Sequence, residues 1–147
     1  WPLEALKFAD KYLKERDCPL LIFQDKLNML NKEPQENGTL DYCHENGIGF
    51  ISFSPLAQGL LTDRYLNGIP SDSRMAKEYF LKHSALTPEL LEQLKQWNAE
   101  AGERGETLAE MALAWILQQK GVTSVLVGAS STAQLEKNMK CVHAKAF

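Results

Sequence analysis

The chain has 147 residues, of which 44% are hydrophobic and 24% are charged, and this composition is typical of a globular domain with a core of ordinary size. Its formal net charge of -3 and the lack of a clustered basic stretch in the sequence argue against nucleic acids and acidic membranes, so neither is expected as a partner. The chain has three widely spaced cysteines, Cys18, Cys43 and Cys141. This odd number and the spacing argue against a disulfide framework or a zinc site, and they favour a reducing, cytoplasmic setting. No apolar run reaches the roughly 18 residues of a membrane span. The length and composition of the chain predict a single domain over 1–147.

Helix and strand signals alternate along the first third of the chain. The segment from Pro2 to Lys14 predicts a helix with a broad apolar face that includes Phe8 and Tyr12. The unbroken apolar run from Leu20 to Gln24 is too short for a helix and predicts a strand covered on both faces. A loop is expected over Lys32 to Gly38. The stretch from Leu40 to Glu45 then predicts a short helix, which Asn46 and Gly47 end.

The same alternation continues to the end of the chain. Residues Ile48 to Phe53 predict a second strand, and Thr87 with Pro88 opens a long helix. Thr107 and Glu110 have the spacing of a capping box, which predicts the start of the next helix. A third strand is expected over Ser124 to Val127, and a last helix from about Ala133 to Val142. Strands separated by helices predict a parallel sheet, whose exposed outer edges indicate part of a larger α/β assembly. Polypeptide is expected to precede Trp1, because a helical pattern begins at once.

The stretch from Gly49 to Arg74 has the composition of a phosphate-binding loop. It leaves a predicted strand and carries two of the four arginines of the chain, Arg64 and Arg74, beside hydroxyls, glycines and prolines. Arginines in a loop are, on their own, more often solvated surface groups. The loop is therefore a candidate cofactor site.

Three ordered motifs resemble the aldo-keto reductases, and most of all their bacterial glyceraldehyde-3-phosphate reductase-like and potassium-channel β-subunit branches. The first runs from Phe53 to Leu61 (FSPLAQGLL), the second from Tyr65 to Arg74 (YLNGIP with Ser73-Arg74), and the third from Val127 to Asn138 (VGAS, then Gln134-Leu135 and Asn138). The resemblance covers essentially the whole chain. It implies an NADP(H)-binding (β/α)8 barrel, a TIM barrel, of which this chain holds strands six to eight with their helices. It also implies that the catalytic tyrosine, lysine, aspartate and histidine belong to the absent first half of the barrel.

The resemblance carries a set of cofactor contacts onto this sequence. Gln24 is expected to hydrogen-bond the nicotinamide carboxamide, and Phe53 is expected to stack on the nicotinamide ring. The other expected contacts are with the pyrophosphate (Ser54, Pro55, Leu56, Ala57 and Gln58), with the phosphates (Arg64 and Arg74) and with the adenosine region (Gly128, Ser130, Gln134 and Asn138). The family usually continues Q-x-x-Y-N after the glutamine, and this chain has Leu27 in the tyrosine position. It also has Lys137 where relatives carry glutamate.

Simpler structural interpretations exist for several of these residues. Phe53 is also explained as a core aromatic on a buried strand, and Ser131 with Gln134 is also explained as a helix-capping box. The histidines and cysteines repeat no metal-site spacing, and no catalytic nucleophile is evident. Two functions follow: the cofactor-binding half of an NADPH-dependent aldehyde or ketone reductase, or a non-catalytic piece with a vestigial site that self-associates through its sheet edges. A small carbonyl substrate is expected only in the complete barrel, and the sequence does not name it.

Overall fold

A computed structural model describes residues 1–71, 73, 75–77 and 81–147. The chain divides into two compact units, the first formed by Trp1–Pro55 with Trp115–Val127 and the second by Leu56–Ala114 with Gly128–Phe147. That these units act as one domain stays a prediction. No helix in the described part of the chain is long and apolar enough to cross a membrane.

The first unit is built on a parallel three-stranded sheet, as predicted. Its strands are β1 (Ile22–Lys26), β2 (Gly49–Phe53) and β3 (Val122–Val125), in the order β1-β2-β3. Three helices accompany the sheet: α1 (Leu3–Lys14), α2 (Glu33–Glu36) and α3 (Thr39–Glu45). Within the described residues each outer strand pairs on one side only, so the sheet does not close on itself.

One face of this sheet carries the core of the first unit. The fully or almost fully buried side chains come from α1, α3, β2, the segments next to these elements and the end of the helix Leu108–Leu117: Leu6, Leu27, Leu40, Cys43, Ile48, Phe50 and Ile116. Phe23 on β1 packs beside Phe50 on β2, with ring centroids 6.4 Å apart. Because side chains alternate along a strand, the neighbours of Phe23 and Phe50 in the sequence point to the other face.

The second unit is mainly helical. Its helices are α4 (Pro88–Arg104), most of α5 (Leu108–Leu117) and α6 (Thr132–Met139), with short 3-10 turns at Ala57–Gly59, Asp63–Tyr65, His83–Ala85 and Lys140–His143. The predicted capping box is confirmed, because Glu110 Oε2 accepts from the Thr107 N–H at 2.8 Å and Thr107 Oγ1 accepts from the Glu110 N–H at 3.2 Å. Thr87 caps α4 by accepting from the Leu90 N–H at 3.2 Å.

Several details of the sequence prediction were wrong, among them the end of the third strand, which is Val125 and not Val127, and the end of the last helix, which is Met139 and not Val142. Strand β1 begins two residues later than Leu20, and its outward side chains are exposed, so it is not covered on both faces. The segment expected to be a loop contains α2, which has Pro34 in its first turn. Strand β3 begins two residues earlier than Ser124. Phe8 and Tyr12 on α1 stack on each other at 6.1 Å and are 70% and 47% exposed, so the buried stripe of α1 is narrower than predicted.

Candidate functional site

The open face of the sheet brings two predicted site residues together. In the register of the sheet Gln24 lies opposite Ile51, and Lys26 lies opposite Phe53. Register partners in a parallel pair point to the same face, so Gln24, Lys26 and Phe53 share one face near the carboxyl ends of β1 and β2. Gln24 is exposed and Phe53 is half-buried. Gln24 lies in the middle of β1, two residues before its end, where the sequence suggested a strand end. Phe53 is not one of the buried core residues of the first unit.

The chain leaves β2 in an unusual backbone conformation. Ser54 has a φ of 51°, in the left-handed region that only a few per cent of non-glycine residues adopt. Its carbonyl oxygen accepts a hydrogen bond from Asn28 Nδ2 at 2.9 Å. Pro55, which follows, is buried. Strain of this kind persists only where the surroundings hold it, and it concentrates at ligand sites.

Two side chains that the sequence analysis did not select hold the ends of β1 and β2 together. Asn28 is fully buried, and its Oδ1 accepts from the N–H groups of Leu30 at 3.0 Å and Asn31 at 2.9 Å. Ser52 is also fully buried, and its Oγ donates to the Leu27 carbonyl oxygen at 2.7 Å. Asn28 belongs to the Q-x-x-Y-N pattern, so its place in that motif was the one signal that could have identified it.

Leu27, which departs from the family pattern, is a core residue in this fold. Its side chain is fully buried within the core of the first unit. The position therefore contributes packing, and the leucine supplies a large apolar side chain there.

The predicted pyrophosphate segment of the second unit is also strained. Ala57 and Gln58 have φ values of 46° and 60°, and Gly59 follows at 100°. The turn is closed by the Gly59 N–H, which donates to the Leu56 carbonyl at 2.8 Å, and by Thr62 Oγ1, which donates to the Gly59 carbonyl at 2.7 Å. A tight turn can point successive backbone N–H groups toward one side, which is a geometry that suits anions.

Of the two arginines of the loop, Arg64 lies within the described residues. Arg64 is exposed, and its backbone N–H donates to Thr62 Oγ1 at 3.2 Å. It lies in a short turn whose Tyr65 is buried against Leu60, Met75 and Leu81. Arg74 lies outside the described residues.

The start of α6 bears out the capping interpretation of Gln134, and its contact with the cofactor stays a prediction. Ser131 caps the helix by accepting from the Gln134 N–H at 3.2 Å, so the predicted capping role is confirmed. The side chain of Gln134 reaches back to Ser130, where its Oε1 accepts from the backbone N–H at 2.8 Å and from Oγ at 3.0 Å. Ser130 and Gln134 are both exposed, as is Gly128.

Asn138 has a buried donor without a partner. The residue is 5% exposed, and its Nδ2 makes no hydrogen bond within the part of the chain that the structure describes. A buried amide donor left unsatisfied costs about 1–3 kcal/mol, so such a group calls for an explanation. A ligand that accepts a hydrogen bond here would supply the missing partner.

Neither the buried thiol of Cys43 nor the half-buried thiol of Cys141 has the properties of a nucleophile. Burial, together with the charges of Asp10 and Asp25, raises the pKa of Cys43 to about 11, and burial with the charge of Glu110 raises the pKa of Cys141. Both thiols therefore stay protonated near neutral pH, and the thiolate is the reactive form. Across the described residues, no group of three histidine, cysteine or acidic side chains could hold a metal ion.

The predicted site residues are divided between the two units. The first unit holds Gln24, Phe53, Ser54 and Pro55, and the second holds Leu56, Ala57, Gln58, Arg64, Gly128, Ser130, Gln134 and Asn138. That the two sets form one site stays a prediction.

Comparison with known proteins decides the family. The profile of the Aldo/keto reductase family matches residues 2–146. The chain belongs to this family. Among curated aldo-keto reductase relatives, it is 47% identical over 140 residues to the L-glyceraldehyde 3-phosphate reductase of Escherichia coli strain K12, covering 92% of this chain and 40% of the relative. It is 38% identical over 125 residues to a probable voltage-gated potassium channel subunit beta of Arabidopsis thaliana, covering 83% of this chain and 38% of that protein.

A solved structure agrees with the family on the fold. The thermostable aldo-keto reductase Tm1743 matches with a TM-score of 0.64 and 20% sequence identity, covering 93% of this chain and 39% of that one. The three parallel strands and their helices are thus a partial TIM barrel, as the resemblance implied. The chain spans about 40% of the length of the curated aldo-keto reductase relatives named here.

Proposed function

We propose that this chain is the NADP(H)-binding part of an aldo-keto reductase that reduces aldehydes or ketones. The observation that carries the proposal is the common face of Gln24 and Phe53 on neighbouring strands of the open sheet. The amide of Gln24 can both donate and accept hydrogen bonds, which suits the carboxamide of nicotinamide, and the flat ring of Phe53 suits stacking on the nicotinamide ring. TIM-barrel enzymes place their sites at the carboxyl ends of the strands. Phe53 is the last residue of β2, and Gln24 lies two residues before the end of β1.

The other predicted contacts are compatible with a dinucleotide. The left-handed backbone at Ser54, Ala57 and Gln58 suits a pyrophosphate, and Arg64 and Arg74 supply cations for the phosphates. Gly128, Ser130, Gln134 and Asn138 are assigned to the adenosine end of the cofactor. The unpartnered Nδ2 of Asn138 fits an acceptor nitrogen or oxygen of the ligand. When bound, NADPH supplies the hydride, and this chain binds and orients it.

Catalysis needs residues that we do not assign to this chain. On this proposal the proton donor and its partners belong to the other part of the barrel, and the chain alone is inactive. Reduction of a small aldehyde is in keeping with the name of the Escherichia coli relative, L-glyceraldehyde 3-phosphate reductase. A cytoplasmic setting, where NADPH is available, completes the proposal.

A fluorescence titration of NADPH against the chain tests the proposal. We expect saturable binding that weakens severalfold in Gln24→Ala and in Phe53→Ala, because each loses one contact with the nicotinamide. Phe8→Ala is the matched control, since Phe8 is an exposed ring on α1 and its removal leaves the sheet unchanged. Arg74→Ala tests the phosphate contact that the sequence predicts. Absence of binding at millimolar NADPH would refute a preserved cofactor site.

The alternative is a non-catalytic piece with a vestigial site that self-associates. It is favoured by the outer strands β1 and β3, which pair on one side only within the described residues, and by exposed apolar side chains beside them, such as Leu21 at 72% and Leu126 at 55%. Unpaired strand edges are templates for pairing with another chain. Sedimentation velocity distinguishes the two functions, because the alternative predicts concentration-dependent oligomers together with no NADPH binding.

A further inference from the structure

We infer that Lys26 binds an anionic group, a phosphate or a carboxylate, on the carbonyl compound that this site reduces. The inference rests on the proposed function, since it takes the nicotinamide to lie against Gln24 and Phe53. It goes further by assigning a charge to the substrate and a residue to recognise it.

The register of the sheet places Lys26 beside the proposed nicotinamide site. Lys26 is the direct partner of Phe53 across β1 and β2, and Gln24 precedes it by two residues on the same face. Lys26 is also the last residue of β1, so it stands one step closer to the carboxyl edge of the sheet than Gln24. A substrate carbonyl must approach the nicotinamide ring that stacks on Phe53, and the side chain of Lys26 starts from the strand position beside Phe53, at the border of that site.

The charge of Lys26 is available to a ligand. Its side chain is exposed, and within the residues that the structure describes its Nζ makes neither a hydrogen bond nor an ion pair. The nearest acidic residue in sequence, Asp25, points to the opposite face, and its Oδ1 accepts from the backbone N–H of Lys26 at 2.7 Å. The other residues that the register places on this face have uncharged side chains: Gln24, Ile51, Phe53 and Ser124.

The backbone around Lys26 is held firmly, which an electrostatic contact requires. Leu27 and Asn28, the next two residues, are fully buried. The Leu27 carbonyl accepts from Ser52 Oγ at 2.7 Å, and Asn28 Nδ2 donates to the Ser54 carbonyl at 2.9 Å. These bonds fix the end of β1 against the end of β2, so the position of the Lys26 Cα relative to Phe53 is set by the fold.

The test measures anion binding and does not depend on turnover. The chain labelled with 15N is titrated with glycerol 3-phosphate, with lactate and with uncharged glycerol. Each titration is carried out once with NADP+ and once without it, and NMR follows the amide signals of Lys26 and Phe53. Lys26→Gln removes the charge, Lys26→Arg keeps it, and Lys11→Gln is a control that removes an exposed lysine of α1. The affinity for NADP+ is measured for each variant.

We expect at least one anion, but not glycerol, to shift these signals in a saturable way. Lys26→Gln should weaken that binding roughly tenfold, as loss of a charge-assisted contact does, while Lys26→Arg and Lys11→Gln retain it. The affinity for NADP+ should be the same in all variants.

Other results overturn the inference. One is equal anion binding by the wild type and Lys26→Gln, and another is no saturable anion binding in either series. A third is a Lys26→Gln variant that loses affinity for NADP+ but keeps its affinity for the anion. Failure of NADP+ to bind the wild-type chain contradicts the proposed function instead. The series without cofactor then decides for Lys26 alone: anion binding that depends on Lys26 supports the ligand chemistry, and its absence refutes it.

Discussion

Asn28 Nδ2 donates a hydrogen bond to the carbonyl oxygen of Ser54 at 2.9 Å, and this bond joins the segment after β1 to the strained residue after β2. Asn28 Oδ1 meanwhile closes the turn of its own segment by accepting from the Leu30 and Asn31 N–H groups. One buried amide therefore joins the ends of β1 and β2, the two strands that carry Gln24 and Phe53.

We predict that Asn28→Asp destabilises the chain by about 2 kcal/mol or more near neutral pH. A carboxylate keeps the acceptor for Leu30 and Asn31, but it has no hydrogen to donate to Ser54 and is buried as a charge. Protonation restores a donor, so the folded state holds its proton to higher pH than the unfolded state, and the deficit shrinks as the pH falls. Urea denaturation at about pH 7 and pH 5 measures this. Asn31→Asp, at a partly exposed position, should change little, and an equal loss in both variants would contradict the prediction.

We expect Ser52→Ala to destabilise the chain by about 1–3 kcal/mol, because it leaves the buried Leu27 carbonyl without the donor it has at 2.7 Å. Ser124→Ala makes the same chemical change at an exposed position of the same sheet and should fall within about 0.5 kcal/mol of wild type. Thermal and urea unfolding measure both variants. Similar stability of the two variants would show that the Ser52 hydrogen bond contributes nothing.

The hydroxyl of Tyr42 should make the fold sensitive to alkali. Tyr42 donates to Asp10 Oδ2 at 2.8 Å, and Lys14 also donates to that oxygen at 2.7 Å. Burial, then this hydrogen bond and the charge of Asp10, raises the pKa of Tyr42 from 10.0 to about 12. Between these values the unfolded state binds fewer protons than the folded state, so the stability present below pH 10 is lost as the pH rises toward 12.

Tyr42→Phe should remove that part of the pH dependence. Below pH 10 it should lower the free energy of unfolding by about 1 kcal/mol, because the hydrogen bond to Asp10 is lost. Urea midpoints measured across the alkaline range give the slope. Cys43, whose pKa is raised from 9.0 to about 11, contributes a separate loss in the same direction that Tyr42→Phe leaves in place. Tyr12→Phe is the control, since Tyr12 is 47% exposed, and a slope that falls equally in both variants would contradict the assignment.

Gly121→Ala should be more damaging than Gly47→Ala. Both glycines have left-handed backbones, with φ values of 96° and 67°, so an added Cβ costs roughly 1–2 kcal/mol at each. At Gly121 that Cβ would also lie 3.1 Å from the Cβ of His44 and 3.3 Å from the Leu40 carbonyl oxygen, whereas at Gly47 it meets nothing within 4 Å. Chemical denaturation of the two variants isolates the steric part, and equal losses would contradict the expected contact.

Local signals in the sequence were enough for much of the fold. The Thr107 and Glu110 capping box, the helix that ends before Gly47 and strand β2 follow from neighbouring residues, and the parallel pairing follows from the alternation of strands and helices. The prediction was wrong where local patterns are ambiguous. The apolar run before Gln24 did not fix where β1 begins, and the polar segment that contains Pro34 hid a single turn of helix.

The family, the partial barrel and the candidate residues Gln24 and Phe53 were determined by the sequence itself, because they depend on motifs and on the alternation of strands and helices. Tertiary structure decided which face those residues share, that Leu27 packs into the core, and that Lys26 is exposed beside Phe53. It also decided that Asn28 and Ser52 hold the two strand ends together. Their partners are 26 and 25 residues away in the chain, and hydrogen bonds over such distances leave no periodic trace in the sequence.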